Sequence, residues 1–373
     1  MRSCLFVEKP VTSEPEATPP RAGTYPLPSL HIQGFRAFRD LKLPNLGRVN
    51  LIVGKNNVGK STLLEAVKLY SAGRDAVHTL VKLLTERQEF QRPPPQDDRT
   101  PLVDVQRAFY SEHSSSPDTQ AAIYIGSIEA DEKEADFQFS LTQSRRRIGT
   151  SPTFVFNFGP GPRQSLRVSD INDYLANYPL TGETELNCHH IPSRGMNSLQ
   201  LEWLWDSIVL TDQEQDVLRA LQIITPEVER ISLAELHKLS TGERIPIVRK
   251  KGSRFPEPLR SMGDGMNRLF ELSLGLVNST GGIFLVDELE NGVHYSVQEQ
   301  LWRLIFEASH QLNVQVFATT HSWDCIESFQ RAASTHKEAG TLISLARQNG
   351  EVKASVFNER DLEIITRESI EVR

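Results

Sequence analysis

Over residues 1–28 the apolar positions follow no period, and six prolines stand among Ser, Thr and Glu. Such a stretch buries too little to fold and reads as a flexible Pro-rich tail. From Leu30 a pattern sets in. Leu30-His31-Ile32 and Leu41-Lys42-Leu43 alternate with period two, and Val49-Asn50-Leu51-Ile52-Val53 is an apolar run ending at Gly54, so three strands are expected. Helical spacing follows over 61–70 and 76–87, and Pro93-Pro94-Pro95 breaks it. Residues 121–128 and 135–142, with Phe137, Phe139 and Leu141 at period two, predict an antiparallel pair of strands, and 153–158 predicts another. Residues 197–240 read as helical around a break at Pro226, including 214–223 and 233–239, and 241–260 as a polar loop or hairpin with Arg249-Lys250-Lys251 at its tip. Beyond Asp264 helices and strands alternate regularly, with strands at 283–286 and 314–319, the mark of an α/β architecture. No internal repeat is present.

Composition narrows the class only a little. The 373 residues are 38% hydrophobic and 24% charged, which excludes wholesale disorder. A formal net charge of −7 argues against a protein that coats nucleic acid or anionic membrane. Cys4, Cys188 and Cys325 form no C-x-x-C pair, so neither a disulfide framework nor a zinc cluster is expected. Cys188-His189-His190 looks metal-like, but three adjacent side chains cannot all face one ion. No apolar run nears the ~18 residues of a membrane span, and Cys4-Leu5-Phe6-Val7 is too short for a signal-peptide core. A soluble, cytoplasmic protein without a membrane partner is expected.

Candidate chemistry begins at Gly54-Lys55-Asn56-Asn57-Val58-Gly59-Lys60-Ser61-Thr62, which fits G-x-x-x-x-G-K-[ST] at every position. A loop that wraps a phosphate closely needs Gly54 and Gly59, since a Cβ there blocks the approach. Successive amides and the start of the next helix then face the anion. Lys60 supplies charge to the β- and γ-phosphates, and Ser61 a hydroxyl for Mg²⁺. Ile283-Phe284-Leu285-Val286 predicts a buried parallel strand, and Asp287-Glu288 stands at its C-terminal end, where open α/β sheets place their sites. Asp287 suits the Mg²⁺ through water, and Glu288 suits a general base. Strand 314–319 ends in Thr320-His321-Ser322, which offers His321 to the γ-phosphate or the attacking water. Ser261-Met262-Gly263-Asp264-Gly265 precedes an amphipathic helix and forms a second anion-receiving N-terminus.

In that order the motifs resemble the ABC-type ATPase heads of the OLD, RecF and SMC group, and more narrowly the stand-alone AAA-15/21-type ATPases. Ile32-Gln33-Gly34-Phe35-Arg36-Ala37-Phe38 before the phosphate loop, and Asp287-Glu288-Leu289-Glu290-Asn291-Gly292-Val293-His294, carry the resemblance. Leu289 and Tyr295 stand where the group commonly has proline. The resemblance covers roughly 29–75 and 255–325; the glutamine of the Q-loop is not assignable.

It implies a P-loop fold, a mixed sheet flanked by helices with an inserted helical lobe. The implied partition is the tail 1–28, the first part of the ATPase lobe at 29–190, a helical lobe with a basic hairpin at 191–260, and the completing part at 261–373. It also implies two heads sandwiching two ATP molecules with Mg²⁺. Ser261, Gly263 and Gly265 of one head face the nucleotide of the other, and Arg36 joins the nucleotide contacts. Glu288, His321 and Lys60 are the implied catalytic residues. OLD nucleases continue into a Toprim domain, whereas 52 residues follow His321 here. An output read by a separately encoded effector, such as a nuclease in phage defence, or by DNA is therefore expected. Arg145-Arg146-Arg147 and Arg249-Lys250-Lys251-Arg254 are candidate phosphate contacts, although the solvated-loop reading is the favoured one for each. A non-hydrolysing ATP sensor that recruits a partner is the alternative. A GTPase is disfavoured by the missing Asn/Thr-Lys-x-Asp guanine reader.

Overall fold

The structure of the protein, a computed structural model, describes residues 26–90, 103–110, 122–128, 139–144, 153–158, 164–167, 170–177, 186–235, 243–336 and 340–372. β1 (Leu30–Phe35) and β2 (Phe38–Leu43) form a hairpin turned at Arg36, whose φ of 50° lies in the left-handed region. β3 (Val49–Gly54) runs into the phosphate-loop string, then α1 (Lys60–Ser71) and α2 (Ala76–Glu86). β4 (Ala122–Gly126), β5 (Phe139–Ser144), β6 (Thr153–Phe158) and β7 (Gln164–Arg167) extend the hairpin into an antiparallel sheet of order β2-β1-β4-β5-β6-β7.

After α3 (Ile171–Asn177) and β8 (Cys188–Ile191) come α4 (Ser198–Ile208) and α5 (Asp212–Gln222). β9 (Val228–Glu235), β10 (Arg244–Lys250) and β11 (Glu257–Pro258) make a small antiparallel sheet beside them. α6 (Asp264–Asn278), β12 (Ile283–Val286), α7 (Tyr295–Gln311), β13 (Gln315–Thr319) and α8 (Trp323–Ala333) complete the alternation. β14 (Gly340–Gln348), β15 (Glu351–Phe357) and α9 (Glu359–Arg367) follow. The central sheet has the order β15-β14-β3-β13-β12-β8, parallel except for β15.

Because side chains alternate along a strand, the parallel strands feed two separate cores. Val49, Leu51, Phe284, Val286, Val316 and Ala318 face a core shared with α6, α7 and α8. Ile52, Ile283, Leu285, Phe317 and Ile343 face one shared with α1, α2 and the antiparallel sheet. All of these are fully buried. Among the described residues no helix is long and apolar enough to cross a membrane.

Three local expectations change and one holds. The helical reading of 228–235 gives way to β9, paired with β10 from Val228↔Lys250 to Glu235↔Arg244. Leu, Ala and Glu favour helix, but the cross-strand ladder decides here. The hairpin expected within 241–260 is present: Arg249-Lys250-Lys251 stands where β10 turns back into the antiparallel β11. Leu27, expected within the flexible tail, is fully buried, and its backbone N–H and C=O bond the Gln315 side chain at 2.9 Å each. Cys188-His189-His190 is strand β8 at the edge of the parallel sheet. Phe137, Arg145, Arg146 and Arg147 lie outside the described residues.

Candidate functional site

The order β14-β3-β13-β12 brings the C-terminal ends of β3, β12 and β13 side by side. The phosphate-loop string therefore faces Asp287, Glu288 and Thr319. In the string, Gly54 has φ 148° and Gly59 φ 116°, and a Cβ on Gly54 would stand 2.6 Å from the Leu345 carbonyl oxygen. Only glycine suits such positions. No side chain caps α1, so its first amides stay open. Lys60 folds back over the loop, its Nζ donating to the Gly54 carbonyl at 2.6 Å and to that of Lys55 at 3.2 Å. Burial pushes the Lys60 ammonium below its usual pKa, while Asp287, Glu288 and Glu290 pull it back up.

The carboxylate of Asp287 is held from two sides. Ser61 Oγ donates to Oδ2 at 2.8 Å and Thr319 Oγ1 to Oδ1 at 2.6 Å. The same Thr319 hydroxyl accepts from the Glu288 amide at 2.8 Å. A serine hydroxyl beside a carboxylate is a pair of hard oxygen donors, which suits Mg²⁺, an ion that binds few protein oxygens and keeps water or phosphate as its other ligands. Among the described residues no group of three or more His, Cys, Asp or Glu forms an alternative metal cage. Cys188 and His190 behave as buried side chains: burial raises the thiol pKa to about 11 and lowers that of the imidazole to about 3.

Glu288 sits at φ 51°, a left-handed conformation costing about 1–3 kcal/mol in a non-glycine residue. Asn291 Nδ2 donates to its Oε2 at 2.8 Å. His321 Nδ1 lies 3.8 Å from Glu288 Oε1 and 3.3 Å from Glu290 Oε1, and its backbone N–H donates to Glu290 at 3.0 Å. A cleft of about 470 Å³ opens here, lined by Gly54, Lys55, Asn56, His321 and Glu371.

Ser261, Gly263 and Gly265 do not line that cleft. Ser261 and Gly263 are exposed at the head of α6, and the Ser261 hydroxyl donates to the Pro258 carbonyl at 2.7 Å. Arg36 departs from expectation. Its Nε lies 3.0 Å from Glu65, and its two terminal nitrogens donate to Glu89 at 2.9 and 3.0 Å. At 8% side-chain exposure the guanidinium is committed to the carboxylates of Glu65 and Glu89. Two residues of the second basic cluster have carboxylate partners, with Arg249 3.1 Å from Glu229 and Lys250 2.6 Å from Glu257.

Three residues of the site were not singled out from sequence. Thr319 ends an apolar strand, a position where a hydroxyl could have been flagged. Glu290 is a second carboxylate two residues beyond Glu288. Arg268 interrupts the apolar face of α6 and is 5% exposed, so a charge at a core position was the signal.

A protein-family model described as "AAA domain, putative AbiEii toxin, Type IV TA system" matches residues 49–324. A Methanocaldococcus jannaschii protein called "Uncharacterized protein MJECL10" is 45% identical over 58 residues, 16% of this chain and only 26% of that protein's length. A Helicobacter pylori protein named "ATP/GTP phosphatase" is 22% identical over 330 residues, 80% of this chain and 86% of its own. Among solved structures, an Smc head bound to the C-winged helix domain of ScpA matches with a TM-score of 0.53 at 14% identity, over 90% of this chain and 98% of that one. A Pyrococcus furiosus Smc head with an extended coiled coil, bound to the C-terminal domain of ScpA, matches at 0.50 and 13%, over 93% and 100%. At such identities these likenesses concern the fold: an ABC-type P-loop head, with a mixed sheet flanked by helices.

Proposed function

The chain belongs to this family of AAA domains, and from that premise we propose that it binds ATP with Mg²⁺ and hydrolyses it between two copies of itself. The observation that carries the reading is the shared hydrogen-bond network in which Ser61 and Thr319 hold Asp287 while Thr319 also holds the Glu288 amide. Three strand ends converge on one point beside the phosphate loop.

The roles follow from position. Loop amides at 54–59 and the open start of α1 receive the phosphates, and Lys60 exchanges two carbonyl partners for the β- and γ-oxygens. Ser61 and Asp287 would hold Mg²⁺, which when bound would neutralise phosphate charge. Glu288, directed by Asn291, accepts the proton of the attacking water, and His321 stands against the γ-phosphate side of the cleft. The exposed Ser261 and Gly263 meet the γ-phosphate held by the other copy. ATP then joins the heads and ADP does not, because only ATP contacts both.

The output we propose is this change of association, read by a separate effector. The pairing of Arg249 and Lys250 with exposed carboxylates weakens that cluster as support for a DNA contact. The missing Asn/Thr-Lys-x-Asp string favours ATP over GTP, although the Helicobacter relative is named for both. The test is the mass of Glu288→Gln with and without Mg-ATP, beside wild-type turnover of ATP and GTP. The expected outcome is an ATP-dependent dimer of the variant and wild-type release of phosphate from ATP. A variant that stays monomeric at saturating ATP sinks the shared-nucleotide mechanism.

A further inference from the structure

Arg268 lies on α6, one turn beyond the exposed Ser261-to-Gly265 stretch, with a side chain only 6% exposed. A buried guanidinium is ordinarily held by carboxylates. This one is held chiefly by main chain. Its Nη2 donates to the carbonyl oxygens of Asp287 at 2.9 Å and Glu288 at 3.1 Å, and Nη1 to that of Pro192 at 3.2 Å. The Glu271 carboxylate stands farther off, 3.7 Å from Nη1.

Those carbonyls belong to the peptides on either side of the left-handed residue. Glu288 is thus fixed at both ends, its N–H by Thr319 and its C=O by Arg268, while Asn291 fixes the carboxylate. A left-handed glutamate persists only where its surroundings over-determine it. Remove the guanidinium and the 288–289 peptide can relax, swinging the carboxylate away from His321, which lines the cleft. Arg268 also joins α6 to this turn, and a Cβ on Gly265 would lie 2.9 Å from the Gly292 carbonyl oxygen, so helix and loop are in close contact.

We propose that Arg268 is a positioning residue: it holds the backbone of Glu288 in the conformation that keeps the carboxylate beside Asn291 and His321, and ties that residue to the helix that Ser261 and Gly263 lead into. This rests on the reading of Glu288 as the base.

The test is Arg268→Lys, which keeps the charge but cannot reach three carbonyls at once. Mg-ATP affinity, turnover at saturating ATP and Tm are measured for the single variant and in the Glu288→Gln background. Arg268→Lys is expected to bind Mg-ATP within about 3-fold of wild type while turnover falls about 50-fold, since the lost interaction serves the reaction and not binding. In the Glu288→Gln background the same change is expected to lower the residual rate by less than about 2-fold, because two residues acting through one group do not add. Wild-type turnover in Arg268→Lys, a full additive loss in the double variant, or a matching loss of affinity overturns the inference. Should Arg268→Lys not fold, Glu271→Gln loosens the guanidinium without removing it. About 5-fold slower turnover at unchanged affinity supports the inference, and an unchanged rate overturns it. Wild-type turnover in Glu288→Gln instead overturns the reading of the base, and this inference with it.

Discussion

Arg36 stands at a left-handed turn with its guanidinium between Glu65 and Glu89, and Arg87 Nε closes the group at 2.6 Å from Glu65. Burial pushes the Glu65 carboxyl above its usual pKa, and Arg36 and Arg87 pull it back. Arg36→Ala would leave that carboxylate buried with one partner fewer, a loss of about 3–5 kcal/mol. Chemical denaturation should show the loss, and the folded fraction should keep wild-type ATP affinity; a selective fall in affinity would return Arg36 to the nucleotide. At this scale, legibility depended on contiguity. The string 54–62 and the pair Asp287-Glu288 could be read together because each is continuous and each ends a strand. Arg268, Thr319 and Glu290 are selected by the direction of a side chain across elements far apart in sequence, and the pairing of Arg36 with Glu65 and Glu89 was illegible for the same reason.

Between elements, the seat of α6 on β12 matters most for the site, since it sets where Arg268 can reach. It is tight. A Cβ on Gly275 would stand 2.6 Å from Phe284 Cε2 and 3.0 Å from Ile191 Cδ1. Gly275→Val should cost about 1–3 kcal/mol by overpacking, visible as a lowered Tm. If Tm is unchanged, the helix does not ride this close to the strand. The apolar strands β3, β12 and β13 were legible because both their faces are buried. β8 was not, since Cys-His-His-Ile carries no apolar run and, among the described residues, pairs with β12 alone. β9 shows buried positions at Val228, Ile231 and Leu233, a spacing that a helix and an irregular strand can both satisfy.

For the whole molecule, the proposed function predicts linkage. A ligand that binds only the folded state at about 100 times its Kd adds about 2.7 kcal/mol to stability. Mg-ATP should therefore raise the Tm of Glu288→Gln in a calorimeter and leave that of Lys60→Ala where it was. An equal rise in both would place the nucleotide elsewhere.

The strand order carries one more consequence. β3 is flanked by β13 and β14, and β8 by β12, so each parallel strand from the first part of the chain finds its neighbours only in the last part. A chain opened between β9 and β10 would yield two pieces, neither with a complete central sheet and each lacking part of the lining of both apolar interiors. Such pieces have reason to fold only in each other's company, and their reunion would rebuild the phosphate loop beside Asp287, a property suited to a split reporter.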